Sequence, residues 1–280
     1  MCRLFAQISP LPLSAEPYLV DSDFSLLKQS NFNKKNLQKD GWGIANYGNK
    51  NKPVVSKSPK PVFLEAMKFK KAAAARSTAI IGHIRAASNP RDLPKNKLLN
   101  LESAQPFTDG RWIFAHNGTL EIPDEVTKAL GPLRRNIKSS NDSEVYFWQF
   151  IKFYRKTGDA TKALKACIGE IWDLWKKCKS RYPQKKGPYT SLNALLSDGQ
   201  SLYALCHFFR KGLADCGVCN PSQPWSVMSF ARRGPLFIAA SEDLDKGSWT
   251  RFDPPEILCV RIEAEKLKIK RTHFTVEVIS

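Results

Sequence analysis

Met1-Cys2-Arg3-Leu4-Phe5-Ala6 opens the chain, and the place of its cysteine decides how the rest reads. A residue as small as Cys at position 2 lets a methionine aminopeptidase remove Met1. Cys2 then carries a thiol and a free α-amine together. An α-amine titrates at about 7.7–8.0, so part of it is neutral near pH 7. It can take the thiol proton directly or through one water, so one residue supplies both nucleophile and base. Taken alone, such a cysteine is equally a small buried hydrophobe. Residues 1–8 alternate weakly and read as a strand, which would hold this terminus on a sheet.

A catalytic site built on Cys2 would need three further parts. These are donors for a tetrahedral oxyanion, a cation for a substrate carboxylate and an anion for a substrate ammonium. Each has a candidate in a separate segment. Asn117-Gly118, in Phe114-Ala115-His116-Asn117-Gly118, joins a side-chain amide to an unhindered backbone N–H. Arg85, in Gly82-His83-Ile84-Arg85, ends an apolar run and offers a planar fork to a carboxylate. Asp142, in Ser140-Asn141-Asp142-Ser143-Glu144, precedes an apolar helix. Each also has a plain structural reading: a hairpin turn for Asn117-Gly118, an ion pair for Arg85, a helix N-cap for Asp142.

Outward from these segments, residues 42–47, 78–84 and 112–115 read as strands. Residues 59–75 fit a helix with Pro61 in its first turn and Phe63, Ala66, Met67 and Ala74 near one face. Residues 143–155 form a helix apolar nearly all round, and 160–178 one with a clear apolar stripe. The stretch 28–40 is a basic loop. After Pro188 the pattern turns to strands at 191–197, 201–208, 225–231, 236–240, 257–262 and 269–278, with Asp198-Gly199 marking a hairpin. Strands, then helices, then strands predict an α+β chain with packed sheets, not a doubly wound parallel one. No glycine-rich phosphate loop or dinucleotide fingerprint occurs.

The 280 residues suit one or two domains, and 42% hydrophobic content supports a substantial core. No run approaches the 18 apolar residues of a membrane-spanning helix. Forty-four Lys/Arg against 26 Asp/Glu leave a net charge of +18, which favours anionic partners. The lysines lie on solvated faces without interleaved surface aromatics, so sequence-specific nucleic-acid binding is not expected. Seven scattered cysteines without a signal-peptide pattern predict a cytoplasmic protein with reduced thiols. Cys216-Gly217-Val218-Cys219 with His207 lacks the second ligand pair of a zinc site, and no metal or organic cofactor is expected.

Taken in order, these stretches resemble the class II glutamine amidotransferases, N-terminal-nucleophile hydrolases, and within them the short stand-alone YafJ-like branch. Carrying the likeness are residues 2–6, Asp40-Gly41-Trp42-Gly43, Gly82-His83-Ile84-Arg85, Gln105-Pro106-Phe107 with Phe114 to Gly118, and Asn141-Asp142-Ser143-Glu144. Leu192-Asn193, Ser197-Asp198-Gly199 and Ala240-Ser241-Glu242 follow. The resemblance implies a four-layer αββα sandwich of two mainly antiparallel sheets flanked by helices, filling 2–280 as one domain. It implies Cys2 as nucleophile with its amine as base, Asn117 and Gly118 as the oxyanion hole, and Arg85 for the α-carboxylate, with Ser88 assisting. Asp142 would bind the α-amino group, while Trp42 and Gly43 shape the pocket. The implied reaction is cleavage of the γ-amide of glutamine or of a γ-glutamyl compound through a thioester. It leaves open a separate synthase that takes the ammonia. His83 and His116 read as framework residues, and Gln105 departs from the His that relatives usually carry. Two other readings stand beside it: a γ-glutamyl-binding protein without catalysis, and a basic polyanion-binding protein.

Overall fold

The structure is a computed structural model and describes residues 2–32, 37–209 and 217–276. Thirteen described strands form two sheets, and every strand pairing within them is antiparallel. The first sheet contains β1 (Arg3–Ser14), β2 (Trp42–Tyr47), β3 (Pro53–Ser58), β4 (Arg76–Ile84), β9 (Ser229–Arg233), β10 (Leu236–Ala240) and β11 (Thr250–Arg251), in the order β11-β9-β10-β1-β4-β2-β3. The second contains β5 (Phe107–Thr108), β6 (Ile113–Asn117), β7 (Asn193–Ser197), β8 (Ser201–Cys206), β12 (Glu256–Glu263) and β13 (Lys266–His273), in the order β13-β12-β8-β7-β6-β5. Helices α1 (Leu26–Gln29), α2 (Ala66–Ala73), α3 (Lys95–Leu98), α4 (Pro123–Ala129), α5 (Asp142–Thr157) and α6 (Ala160–Cys178) complete the regular elements used below.

The period of two along a strand explains the layering. On β1, Leu4, Ala6 and Ile8 face inward and meet Ile113, Ala115, Leu195 and Ala204 of the second sheet. Phe5, between them, faces outward into a separate cluster with Ile44, Ile80, Phe69 and Ala73, so α2 covers that side. On the far face of the second sheet, Trp112, Phe114 and Leu205 pack against Tyr146, Phe150, Ile171 and Trp172 of α5 and α6. Helices, two sheets and helices thus make four layers. This is the αββα sandwich expected for N-terminal-nucleophile amidohydrolases. With both faces of each sheet covered, central strands read as unbroken apolar runs.

Several boundaries differ from the sequence reading, each for a physical reason. β1 continues through Pro10 and Pro12 because the ladder is irregular there. Ile8 to Leu13 on β1 spans only Ala79 to Ser77 on β4, and the prolines need give no N–H within the bulge. The segment read as helix 59–75 splits into a short turn at Val62–Leu64 and α2. Its buried face is Val62, Phe69 and Ala73, while Leu64 and Met67 are exposed. The strand read at 225–231 starts only at Ser229, since Gln223 donates to the Val227 carbonyl and holds 225–228 as a loop. The strand read at 269–278 is Lys266–His273, and residues 277–278 lie outside the described residues.

Tyr47 fastens one sheet to the other. From β2 its buried hydroxyl reaches the carbonyl of Arg111, 3.0 Å away, and that of Ser197 at the end of β7. Replacing it by Phe removes the hydroxyl's bonds between the sheets, so Tyr47→Phe should cost about 0.5–1.5 kcal/mol of stability. Denaturant unfolding of the two proteins measures this; equal midpoints would contradict it.

Candidate active site

The sheet registers gather the candidate residues at one end of the sandwich. β1 begins where β4 ends, with Arg3 opposite Ile84, so Cys2 and Arg85 come side by side just beyond the ends of adjacent strands. β10 ends beside the same place, with Phe5 opposite Ala240, and Ser241 follows. In the facing sheet β6 ends at Asn117, opposite Asn193. The hairpin reading of Asn117-Gly118 is therefore not realised: the chain leaves β6 toward α4, not into a neighbouring strand.

Cys2 is buried, and its thiol lies 3.4 Å from the carbonyl of Ala86. Burial raises its pKa, opposed by the Ala86 hydrogen bond and by Arg85. Arg85 donates from Nη1 to the Leu98 carbonyl at 2.7 Å; burial lowers its pKa, while Cys2, Asp142 and Asp40 raise it. Burial likewise raises the pKa of Asp142, against a hydrogen bond from Leu120 and the charges of Arg85 and Arg91. Cys2, Arg85 and Asp142 thus act on one another through a shared, poorly screened field.

Asp142 is not the helix cap. Asn141 holds that role, its side chain accepting from Ser143 N at 2.9 Å. Asp142, the first residue of α5, is free to turn aside. One carboxylate oxygen accepts from Leu120 N at 2.7 Å and the other from the Ser88 hydroxyl at 3.4 Å. Ser88, expected beside Arg85, thus directs its hydroxyl to the acid instead. The Leu120 bond also ties the start of α5 to the stretch just after Gly118.

Asn117 is buried, and its Nδ2 makes one long bond, 3.5 Å to Ser241 Oγ, while its Oδ1 has no partner among the described residues. A buried amide so lightly engaged has donor capacity to spare. Gly118 packs against the backbone: a Cβ there would come within 1.9 Å of the Ser191 carbonyl oxygen. Gly43 meets the same constraint, a Cβ falling 2.2 Å from the carbonyl oxygen of Gln105. Trp42, expected to shape the pocket, lies on the other face of β2, buried edge-on against Phe69 with its indole donating to Glu65 at 3.1 Å. Alternation along the strand separates it from Gly43.

Three residues matter more than the sequence pattern suggested. Asp40 accepts from Ala87 N at 2.8 Å and its own N–H donates to the Arg85 carbonyl at 3.0 Å, bracing the loop after β4. Ser241 accepts from Leu4 N at 2.9 Å as well as from Asn117, linking β1 to β6. Gln105 bonds both backbone groups of His116. All three lie in the stretches that carry the family resemblance, which was their one visible signal.

Among the described residues, no group of three or more His, Cys, Asp or Glu side chains is placed to hold a metal ion. His207 is committed to Tyr189, 2.6 Å away, and Cys216 lies outside the described residues. Nor is any described helix long and apolar enough to cross a membrane.

Residues 1–214 match the family of glutamine amidotransferases class-II. The chain belongs to the class II glutamine amidotransferases. As a member it is an enzyme of that type. It is similar to the gamma-glutamyl-hercynylcysteine sulfoxide hydrolase of Mycolicibacterium smegmatis, 26% identical over 208 residues, 73% of this chain and 78% of that protein. The protein of the same name from Mycobacterium tuberculosis is 29% identical over 104 residues, 37% of this chain and 40% of that one. A glutamine aminotransferase class-II domain protein from Silicibacter pomeroyi shares the fold at a TM-score of 0.63 and 21% identity, covering 97% of this chain and 100% of that one. Glutamine phosphoribosylpyrophosphate amidotransferase from B. subtilis does so at 0.56 and 18%, covering 96% of this chain but 49% of its own.

Three buried histidines of this amidotransferase, His83, His116 and His207, are held neutral. Burial lowers His83 to about 3, and His116 and His207 to about 4, from the ordinary value of 6.5. The unfolded chain then binds more protons than the native one between those values, so stability falls as pH drops below about 6.5. Each buried ring should contribute a slope approaching about 1.4 kcal/mol per pH unit. Urea midpoints measured between pH 7.5 and 5 test this; a flat series would show rings titrating freely in the native state.

Proposed function

We propose that the enzyme hydrolyses the γ-amide of glutamine or of a γ-glutamyl compound through a thioester on Cys2. What carries this reading is the turning of Asp142 out of the capping position into the field of Arg85 and Cys2. A cation and an anion that both act on Cys2 match the α-carboxylate and α-ammonium of a glutamyl group. With Met1 removed, the α-amine of Cys2 accepts the thiol proton and the thiolate attacks the γ-carbonyl carbon. Asn117 Nδ2 and the Gly118 N–H donate to the oxyanion. Collapse of the adduct breaks the C–N bond, the amine proton passes to the leaving nitrogen, and ammonia or an amine departs. Water, deprotonated by the same amine, then attacks the thioester and releases glutamate and the thiol. Arg85 holds the α-carboxylate, and Asp142, steadied by Ser88, holds the α-ammonium. Gly43 keeps the wall of the pocket close.

The relation to gamma-glutamyl-hercynylcysteine sulfoxide hydrolases favours a γ-glutamyl substrate with an amine leaving group over a glutaminase feeding a separate synthase. We read residues 2–280 as one amidotransferase domain, a reading supported by the 97% coverage in the fold comparison.

Glutamine and a panel of γ-glutamyl peptides and amines should be assayed on protein whose N-terminus is verified by intact mass. Cys2→Ala should abolish turnover. Asn117→Ala should lower kcat by about 10²–10³-fold, the effect of removing one oxyanion donor. Asp142→Asn should act mainly by raising KM. Near-normal turnover by Cys2→Ala would overturn the mechanism. Binding of γ-glutamyl compounds without turnover by the wild type would leave a binding protein.

A further inference from the structure

We propose that Gln105 is a positioning residue, its side-chain amide completing the sheet beside the oxyanion strand in place of a backbone peptide. The inference rests on the site reading just given. β5 and β6 pair through only two residues, Phe107 opposite Phe114 and Thr108 opposite Ile113. Continued in the same register, the ladder would set Pro106 against Ala115 and Gln105 against His116. The strand stops short of that pair, since β5 begins only at Phe107.

The side chain of Gln105 takes over. Its Oε1 accepts from His116 N at 2.7 Å, and its Nε2 donates to His116 O at 3.1 Å. These are the two bonds that opposite residues exchange in a hydrogen-bonded antiparallel pair. The remaining Nε2 hydrogen points to Ser143 Oγ at 3.3 Å, and that hydroxyl also lies 2.9 Å from His116 Nδ1. His116 immediately precedes Asn117 and Gly118, and Ser143 immediately follows Asp142. One amide, 2% exposed, therefore fixes the oxyanion donors and the ammonium-binding acid relative to each other. The job needs two donors and an acceptor on one planar head, which only Asn and Gln supply in neutral form.

Three measurements test it. Gln105→Leu keeps the bulk and removes all three bonds. It should unfold cooperatively, yet lose kcat by about 10²-fold, as small misplacements of reacting groups do, with KM changing less. Without substrate, amide exchange at His116 should be faster in Gln105→Leu than in wild type. Gln105→Glu restores donor and acceptor only when protonated, and burial raises its pKa. Its activity should recover as pH falls, through an ionisation missing from the wild-type profile. Should the leucine variant fail to fold, the Gln105→Glu profile decides. A kcat within twofold of wild type in Gln105→Leu, unchanged His116 exchange, or parallel profiles for Gln105→Glu and wild type would each overturn the proposal. Failure of the underlying reading shows separately, as turnover retained by Cys2→Ala.

Discussion

Everything at the open end of the sandwich depends on the register of β1 between its two neighbours. Pairing with β4 sets Arg85 beside Cys2, and pairing with β10 brings Ser241 to the Leu4 N–H. Slipping this strand by one residue would point Leu4, Ala6 and Ile8 at the helices and carry Arg3 and Phe5 into the space between the sheets. The inward face of β1 belongs to one apolar cluster and Phe5 on its outer face to another, so hydrophobic packing opposes such a slip. Site geometry is inherited from the core.

The polar groups are correspondingly costly to hold. Burial opposes the charged forms of Cys2, Arg85 and Asp142 alike, and the attraction of Arg85 for the other two, together with backbone hydrogen bonds, offsets part of that cost. Arg3 shows the same economy on the outer face. Its buried guanidinium stacks 3.8 Å from the Trp225 ring and lies 4.0 Å from Glu242, whose carboxylate accepts from the N–H groups of Val218, Cys219 and Asn220. Burial lowers Arg3 to about 10. A charge beside Cys2 thus helps to secure the 217–225 stretch against β1.

How much of this was legible follows from the physics of each part. The layer fold was legible, because strands buried on both faces and a strongly striped helix such as α6 leave clear patterns. The face of α2 was misread. Met67 fits an apolar stripe on paper, but the sheet beneath takes Phe69 and Ala73. β3 escaped notice because an edge strand opening with Pro53 and half exposed along its length lacks an apolar run. α4 escaped too, although Pro123 and the acidic pair after it suit a helix start. For the candidate site, the sequence marked the residues that the fold gathers at one end, but not the directions their side chains take. Nothing in the composition distinguishes Asp142 as a cap from Asp142 turned to Leu120, or sets Trp42 on the far face from Gly43. Gln105 stood out in the sequence only as a mismatch, since its role depends on a strand that stops two residues short of it.

The free rim of the second sheet has a consequence of its own. β13 pairs on one side with β12 and has no strand pairing on its other side among the described residues. Its exposed positions include Lys266, Lys268, Lys270 and Arg271, while Leu267 is buried. Two such rims approaching each other would bring rows of like charge within a few ångströms before any backbone bond could form. Electrostatic repulsion therefore guards this border against runaway strand-on-strand polymerisation, and raising the salt concentration weakens that guard.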